Sequence, residues 1–501
     1  MIFLPILSRL SIVQKAATIL ILGLLHFACS KKEEVQVHVE PELPIIEAET
    51  EIRAVWVSVL GEGLKSRAEI EDLVAVVRKA NLNTIVAQVQ REGATMFPSS
   101  FQPRHASIAK QSGFDPLATL LEVARDTSEG GKALKVHAWF NVFRLGEQKA
   151  YLKSSPPPIA KTHPEWYTRD HAGKVQHELD PGVPAVQDHL IAVIEECIQN
   201  YDVDGINLDY IRYFGEDRGY NPWAMKRFFE QTSIQGRPEI EDKIWSQFKR
   251  DQVNHFVRRC AITVWSIRPT TTFSVNAVGW GSAPRKDFSD TQPYYEAMQN
   301  WAEWIKQGWV DAVLQMSYKR EWEPDQKKQF RNWADYTQKL ATQSSGRVQA
   351  MGIGGYFNPL NDALNQYREA TRRHLGTSLF AYDRPTKEAT EGKGDKQGPE
   401  SKIWDLLRKE IYPEPMPAPT PDWREHLSMI AGYLLDDTGT PMDHIEVSLE
   451  NTGYSAYTDG AGFVAFSGLP PGTYRISCPD HSIGGSEVEA RAGEVTWITQ
   501  E

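Results

Sequence analysis

Asp209 ends the segment Gly205-Ile206-Asn207-Leu208-Asp209, which has the composition of a short buried strand. Strand side chains alternate with period two, so Gly205, Asn207 and Asp209 share one direction and Ile206 and Leu208 the other. The apolar pair can pack against helices, which sends the polar set inward and leaves a carboxylate at the strand's last position. A carboxylate there is costly unless it is paired or used. Arg212 follows three residues later, where it can pair with Asp209, contact a substrate or complete an ion pair on a rim. Asp204, at the strand's start, reads as a capping or ion-pairing residue.

Glycosidic cleavage takes two carboxyl groups, one donating a proton and one attacking or activating water. Asp209 suits the second role. Its partner is open among Glu92, Glu321 and Asp383, each near the end of another strand-like run, and each could equally be a solvated loop acid. Groups to hold a sugar are also at hand. His137, Trp139 and Asn141 share one side of their run; Asn141 is the best placed, and the deeper His137 reads as a core histidine. Gln315 and Tyr318 could hydrogen-bond, and Trp280 and Tyr356 could stack on sugar rings, although most of the 15 Trp and 18 Tyr should fill cores.

These residues need elements to carry them. From Ile52 onward, β-rich runs alternate with amphipathic stretches. The runs are Arg53–Val59, Thr84–Gln90, Lys135–Asn141, Gly205–Asp209, Thr272–Val278, Asp311–Met316, Val348–Ile353 and Ser378–Tyr382. Helical patterns between them include Glu69–Ala80, Pro116–Arg125, Val186–Asn200, Trp245–Ile267 and Ala363–Leu375. Eight such alternations predict an α/β fold, a (β/α)₈ TIM barrel over residues 51–411, with reacting groups at the C-terminal ends of the strands. The rival, an open doubly wound sheet, would carry a Gly-rich phosphate loop, and Gly61–Gly63 is too sparse to be one. Residues 412–427 are Pro-rich and read as a stiff spacer. Residues 428–501 show short alternating runs broken by Asp-Gly and Pro-Gly turns, which predicts a small all-β sandwich.

The N-terminus reads as an export signal. Arg9 and Lys15 precede an apolar run, Ala16–Ala28, too short to span a bilayer. Residues 1–28 resemble a bacterial lipoprotein signal and Cys29 its lipidated cysteine, although His26 stands where Leu is usual. Residues 29–50 then form a tether, and the resemblance implies a lipid-anchored protein of the cell envelope, at the outer membrane. Cys197, Cys260 and Cys478 are read as buried thiols, with one disulfide open. The net charge of −11 argues against nucleic acid as a partner. No P-loop, HExxH, GxSxG or zinc spacing appears, so no cofactor and no metal are expected.

Several motifs in order give the chain a family resemblance. Gly113-Phe114-Asp115-Pro116-Leu117, His137–Asn141 with Arg144, His163-Pro164-Glu165-Trp166, Leu179-Asp180-Pro181-Gly182, Asp204–Tyr213, Asp311–Tyr318 and Phe380-Ala381-Tyr382-Asp383 resemble the glycosyl hydrolase-like bacterial lipoprotein family, formerly a domain of unknown function. The resemblance implies a barrel enzyme cleaving peptidoglycan glycan strands stripped of peptide, with Asp209 and Arg212 at the family's strand-four positions. Gln90 and Ala94 stand where the family tends to have Arg and Asp, and Phe214 where Pro is common. These departures leave room for another extracellular polysaccharide, or for a catalytically silent glycan-binding lipoprotein. Thr458-Asp459-Gly460-Ala461-Gly462-Phe463 and Leu469-Pro470-Pro471-Gly472-Thr473-Tyr474 resemble the carboxypeptidase regulatory-like domain, which implies a non-catalytic module able to dock a protein partner.

Overall fold

A computed structural model of the protein describes residues 50–478, except 112, 129 and 345, together with 486–498. The expected export signal, Cys29 and all but the last residue of the tether lie outside the described residues.

Eight parallel strands close into a barrel: β1 (Arg53–Val57), β2 (Thr84–Arg91), β3 (Lys135–Asn141), β4 (Gly205–Asp209), β5 (Thr272–Val278), β6 (Ala312–Met316), β7 (Val348–Gly354) and β8 (Gly376–Phe380). Each pairs with its neighbours in sequence, and β1 pairs with both β2 and β8, which leaves no barrel edge. The alternation of β1 shows why this sequence closes. Ala54 and Trp56 point inward and pack with Val86, Trp139, Ala312, Leu314 and Ala350. Val55 and Val57 point outward into the layer beneath the helices. The strand is apolar on both sides because both are buried.

Two strand registers shape the C-terminal end of the barrel. Asn141 on β3 pairs with Asp209 on β4, and Leu208 pairs with Val275, so Asn276 of β5 stands on Asp209's other side. Asn141, Asp209 and Asn276 thus form a row across three strands at their C-terminal ends. On β2 the register with β3 slips between Gln88 and Gln90. A slip of one residue exchanges the two faces of a strand. Gln88 stays with the barrel, its Oε1 accepting from Ser58 Oγ at 3.1 Å, whereas Gln90 bonds Gln102 at 3.2 Å.

The N-terminal end of the barrel is sealed by the segment that follows the last helix. Tyr412 is buried and its hydroxyl lies 2.6 Å from Thr377 Oγ1. Arg53 Nη1 donates to the carbonyl of Glu414 at 2.6 Å, and Asn83 Nδ2 to that of Met416 at 3.1 Å. Trp423 and Arg424 then converge on Asp311. The Pro-rich stretch runs strapped to the barrel.

Beyond it, seven strands form two sheets. One holds Phe463–Leu469, Ser428–Tyr433 and Val495–Ile498; the other Tyr454–Tyr457, Glu446–Leu449, Gly472–Ser477 and Glu487–Ala490. Ile430, Val447, Leu449, Val464, Phe466 and Ile476 fill the space between them. The same alternation turns Met429, Ala431 and Ala465 outward onto the barrel's own core. Arg227 grips Asp443 with two bonds of 2.7 and 2.9 Å, and Arg259 pairs with buried Asp459 at 3.3 Å. Barrel and sheets form one compact unit. Cys197 and Cys260 are buried free thiols on helices Pro184–Asn200 and Lys243–Ile267.

Candidate active site

A cavity of about 500 Å³ opens at the C-terminal end of the barrel. Asp209 lies on its wall, 5% exposed. Its Oδ2 accepts from Trp139 Nε1 at 3.1 Å and its Oδ1 from the backbone N–H of Tyr210 at 2.6 Å. Tyr210 itself adopts φ +52°, a left-handed conformation that a tyrosine takes only under constraint. The Asn276 side chain also bonds the carboxylate. Burial pushes the Asp209 pKa above the usual aspartate range, while the Tyr210 N–H, the Arg212 charge and the Asn276 and Trp139 donors oppose the rise. The group is poised to hold a proton longer than a surface carboxylate.

Arg212 does not form a salt bridge with it. Its guanidinium lies among three aromatic faces, 5.0 Å from the Tyr210 ring centre, 4.7 Å from Phe214 and 4.8 Å from Trp280. Its Nε is buried with no hydrogen-bond partner. Burial depresses its pKa and the Asp209 charge works against that. Lys319 is also deep. Its Nζ donates to the carbonyl of Gly281 at 3.0 Å, and desolvation lowers its pKa to about 8.

The floor is aromatic. Tyr318 stacks on Phe380 with centroids 5.4 Å apart, and Trp56, Trp139 and Tyr356 meet Phe380 at 6.1, 6.4 and 6.0 Å. Burial pushes the Tyr318 hydroxyl pKa well up, so the phenol stays neutral. Polar groups interrupt this apolar surface beside Asp209. Asn141 is wholly buried, yet neither its Nδ2 nor its Oδ1 has a partner. Asn276 leaves its Oδ1 unpaired. An unmade hydrogen bond in a buried group costs ~1–3 kcal/mol, so these atoms mark where a ligand's polar groups fit.

Of the residues singled out from sequence, the cavity unites Trp139, Asn141, Asp209, Arg212, Trp280, Tyr318 and Tyr356. Four others lie off its wall. Glu92 sits at φ +50° beyond the slipped register, beside Arg91 at 3.3 Å and Arg144 at 3.9 Å. Glu321 is buried and paired with Lys327 at 2.8 Å. Asp383 contacts the Arg384 Nε at 3.2 Å and leaves the cavity to that arginine. Gln315 follows inward Leu314, so it faces the helices, accepting from Ser317 Oγ at 3.0 Å and Thr337 Oγ1 at 3.2 Å. Two more of these residues belong to the barrel's N-terminal half. Asp204 pairs with Lys135 at 3.1 Å and Arg125 at 3.6 Å. His137 is a core histidine whose ring lies against Gly205, where any Cβ would come within 2.5 Å of it. Burial lowers its pKa to about 4.

Sequence reasoning missed Asn276, Lys319, Arg91 and Arg384, all of which line the cavity. Asn276 was within reach, since Ser274 and Asn276 share a parity in their strand. Arg91 was not, because it reaches the cavity only through the slip that turns Gln90 away. Arg91 thus lines the cavity and Gln90 does not.

The Glycosyl hydrolase YngK of Bacillus subtilis (strain 168) is 26% identical over 299 residues, 56% of this chain and 56% of its own. The Glycosyl hydrolase DigH of Escherichia coli (strain K12) is 26% identical over 276 residues, covering 50% of this chain and 59% of DigH. The chain thus spans little more than half the length of these relatives. Among solved structures, the catalytic domain of a beta-amylase from Paenibacillus polymyxa superposes with a TM-score of 0.50 at 11% identity, over 74% of this chain and 100% of that one, a likeness of fold alone. The family model described as Glycosyl hydrolase-like 10 matches residues 51–356, which carry seven of the eight barrel strands and Asp209, and the chain belongs to that family.

Proposed function

We propose that this protein is a glycoside hydrolase of the bacterial cell envelope, with Asp209 acting at the bond that breaks. Its substrate is a polysaccharide, the glycan strands of peptidoglycan. The observation that carries this reading is the buried Asp209 carboxylate, open to an aromatic-floored cavity and flanked by the unpaired amide of Asn141 and the unpaired amide oxygen of Asn276. Flat rings suit sugar faces, unpaired amides suit hydroxyl and acetamido groups, and a carboxylate with a raised pKa suits proton transfer to a leaving oxygen. The names of the relatives point the same way. Lipidation at Cys29 would hold the enzyme at the outer membrane, and the C-terminal sheets, as a carboxypeptidase regulatory-like module, would offer a protein partner a docking surface.

One observation favours a second reading. Among the described residues, Asp209 is the single carboxylate lining the cavity, so a silent glycan-binding protein would need no more than is there. The experiment that separates the two incubates the chain lacking residues 1–28 with peptide-free peptidoglycan strands and with other polysaccharides, and counts new reducing ends. New ends from peptidoglycan, lost in Asp209→Asn, support the proposal. Binding without new ends from any glycan leaves the silent reading standing. Cleavage of another polysaccharide alone would replace the substrate and keep the enzyme.

A further inference from the structure

A hydrolase with one carboxylate in its cavity lacks half of the usual pair. An inverting enzyme needs a second carboxylate to activate water, and a retaining one needs it as nucleophile. The other candidate acids are engaged elsewhere: Glu92 lies beside Arg91 and Arg144, Asp383 holds Arg384, Glu321 pairs with Lys327, and Glu178, whose charge acts on Arg212, lies 3.4 Å from Arg218 Nε. Tyr318 is no substitute, because burial keeps its phenol protonated. Lys319 lines the cavity with its amine bonded to a carbonyl, and its aminium form is no nucleophile.

The groups around Asp209 suit a different supplier. Asn141 and Asn276 stand on either side of it in the same row of the barrel, each with a buried amide oxygen that accepts nothing, and Asn141 also has an unused Nδ2 donor. An amide N–H on the ligand would satisfy such an oxygen. The aromatic floor formed by Tyr318 and Phe380 gives a methyl group an apolar seat within the same cavity. An amide bearing a methyl group is the acetamido substituent of an amino sugar.

We infer that Asp209 is the sole acid–base residue of this site and that the substrate provides the nucleophile, the 2-acetamido oxygen of the sugar bound beside it. This rests on the hydrolase reading above and deepens it. In the first step the acetamido oxygen gives an electron pair to C1. The bond from C1 to the leaving sugar's oxygen breaks, its electron pair stays with that oxygen, and the Asp209 carboxyl proton moves onto it. The sugar is left as a cyclic oxazolinium and Asp209 as a carboxylate. In the second step water adds to C1 from the side the leaving sugar vacated and gives a proton to Asp209. The bond from C1 to the acetamido oxygen breaks and the acetamide is restored. One water is consumed, Asp209 regains its proton, and two inversions at C1 leave the anomeric configuration unchanged. Asn141 and Asn276 are positioning residues in this scheme, holding the acetamide so that its oxygen faces C1.

The test uses peptide-free glycan strands that are chemically de-N-acetylated and then re-acylated with acetyl, fluoroacetyl, difluoroacetyl or trifluoroacetyl groups. Fluorine hardly changes the size of the group and weakens its oxygen as a nucleophile. Re-acetylated strands should be cut as fast as native ones. The fluorinated series should fall stepwise in kcat, by ~100-fold or more at the trifluoro end, with KM nearly constant. Proton NMR of the first product formed should show retained configuration. Equal kcat across the series, an inverted product, or a glycosyl ester trapped on Glu92 or Asp383 would each overturn the proposal while leaving the hydrolase intact. No cleavage of native strands would remove the hydrolase reading and this one with it.

Discussion

Two buried aspartates stand at opposite ends of the barrel, and both have pKa values pushed up by burial. Asp311, at the N-terminal end, is saturated. Trp423 Nε1 and Arg424 Nε donate to its Oδ1 at 2.8 and 2.9 Å. Phe273 N, Trp265 Nε1 and Arg424 Nη2 donate to its Oδ2 at 2.7, 3.3 and 3.3 Å. None of these donors lines the active-site cavity. Asp209, at the C-terminal end, has a backbone N–H, an indole and an amide, and its arginine neighbour is held by aromatic rings instead. The same side chain is structural where its donors are complete and available for chemistry where they are not. Burial alone does not distinguish the two; the inventory of partners does.

The largest expected effect comes from Asp209→Asn. Loss of a positioned acid should slow glycan cleavage by ~10²–10⁴-fold. The amide removes a desolvated charge without changing the shape, so thermal unfolding should stay where it is or move slightly upward. A variant that unfolds markedly earlier would place Asp209 with Asp311 as a structural residue and end the contrast.

Asp311→Ala should do the reverse. It strands the Arg424 guanidinium in a buried site, at a cost of about 3–5 kcal/mol in folding stability. The change also cuts the strap that carries the chain from the barrel to the C-terminal sheets. Activity per folded molecule should be unchanged. Chemical denaturation curves and reducing-end release measured on the same preparation check both halves. A fall in kcat without a fall in stability would mean that the two ends are coupled.

The slipped strand gives a smaller, sharper pair. Arg91→Ala should raise KM roughly tenfold, the size of one hydrogen bond to a charged donor, with stability nearly unchanged. Gln90→Ala should remove a buried bond to Gln102, lower stability by ~1 kcal/mol and leave KM alone. If Gln90→Ala carries the KM effect, the slip between Gln88 and Gln90 does not separate the two faces of the strand.

These neighbours also show what could be read from sequence. The barrel was legible because short β-rich runs alternate with amphipathic helical stretches eight times. Parity alone put Asp209, Asn141 and Trp139 at the mouth of the barrel. It failed where a strand departs from strict alternation, as at Gln90, and where a residue counted as inward faces out, as Gln315 does after Leu314. Loop acids were the least legible. Glu92, Glu321 and Asp383 all follow strand ends, and although Arg91, Lys327 and Arg384 are close to them in sequence, spacing alone does not say whether a loop acid turns to such a neighbour or into the cavity. The packing of the C-terminal sheets on the barrel was equally hidden, because Arg227 and Asp443 are brought together only by the fold.

The smallest effect is graded and lies in pH. An acid that must carry a proton stops working as pH rises through its pKa, and that of Asp209 is raised by burial. Cleavage should therefore decline on the alkaline side, starting above the range of an ordinary aspartate. On the acid side the limit is stability. His137, at the opposite end of the barrel from Asp209, is held neutral down to about pH 4, as are His105 and His189. The unfolded chain protonates such residues near pH 6.5, so between 6.5 and 4 it binds more protons than the folded one. Stability is then lost as pH falls, by up to ~1.4 kcal/mol per pH unit for each histidine. His137→Gln should flatten part of this acid loss and leave the alkaline decline in place. Aryl glycosides with a leaving group too weakly basic to need a proton should reduce the alkaline decline and leave the acid loss. If one substitution moved both limbs, a single titration would govern them, and the division between a working end and a structural end of the barrel would fail.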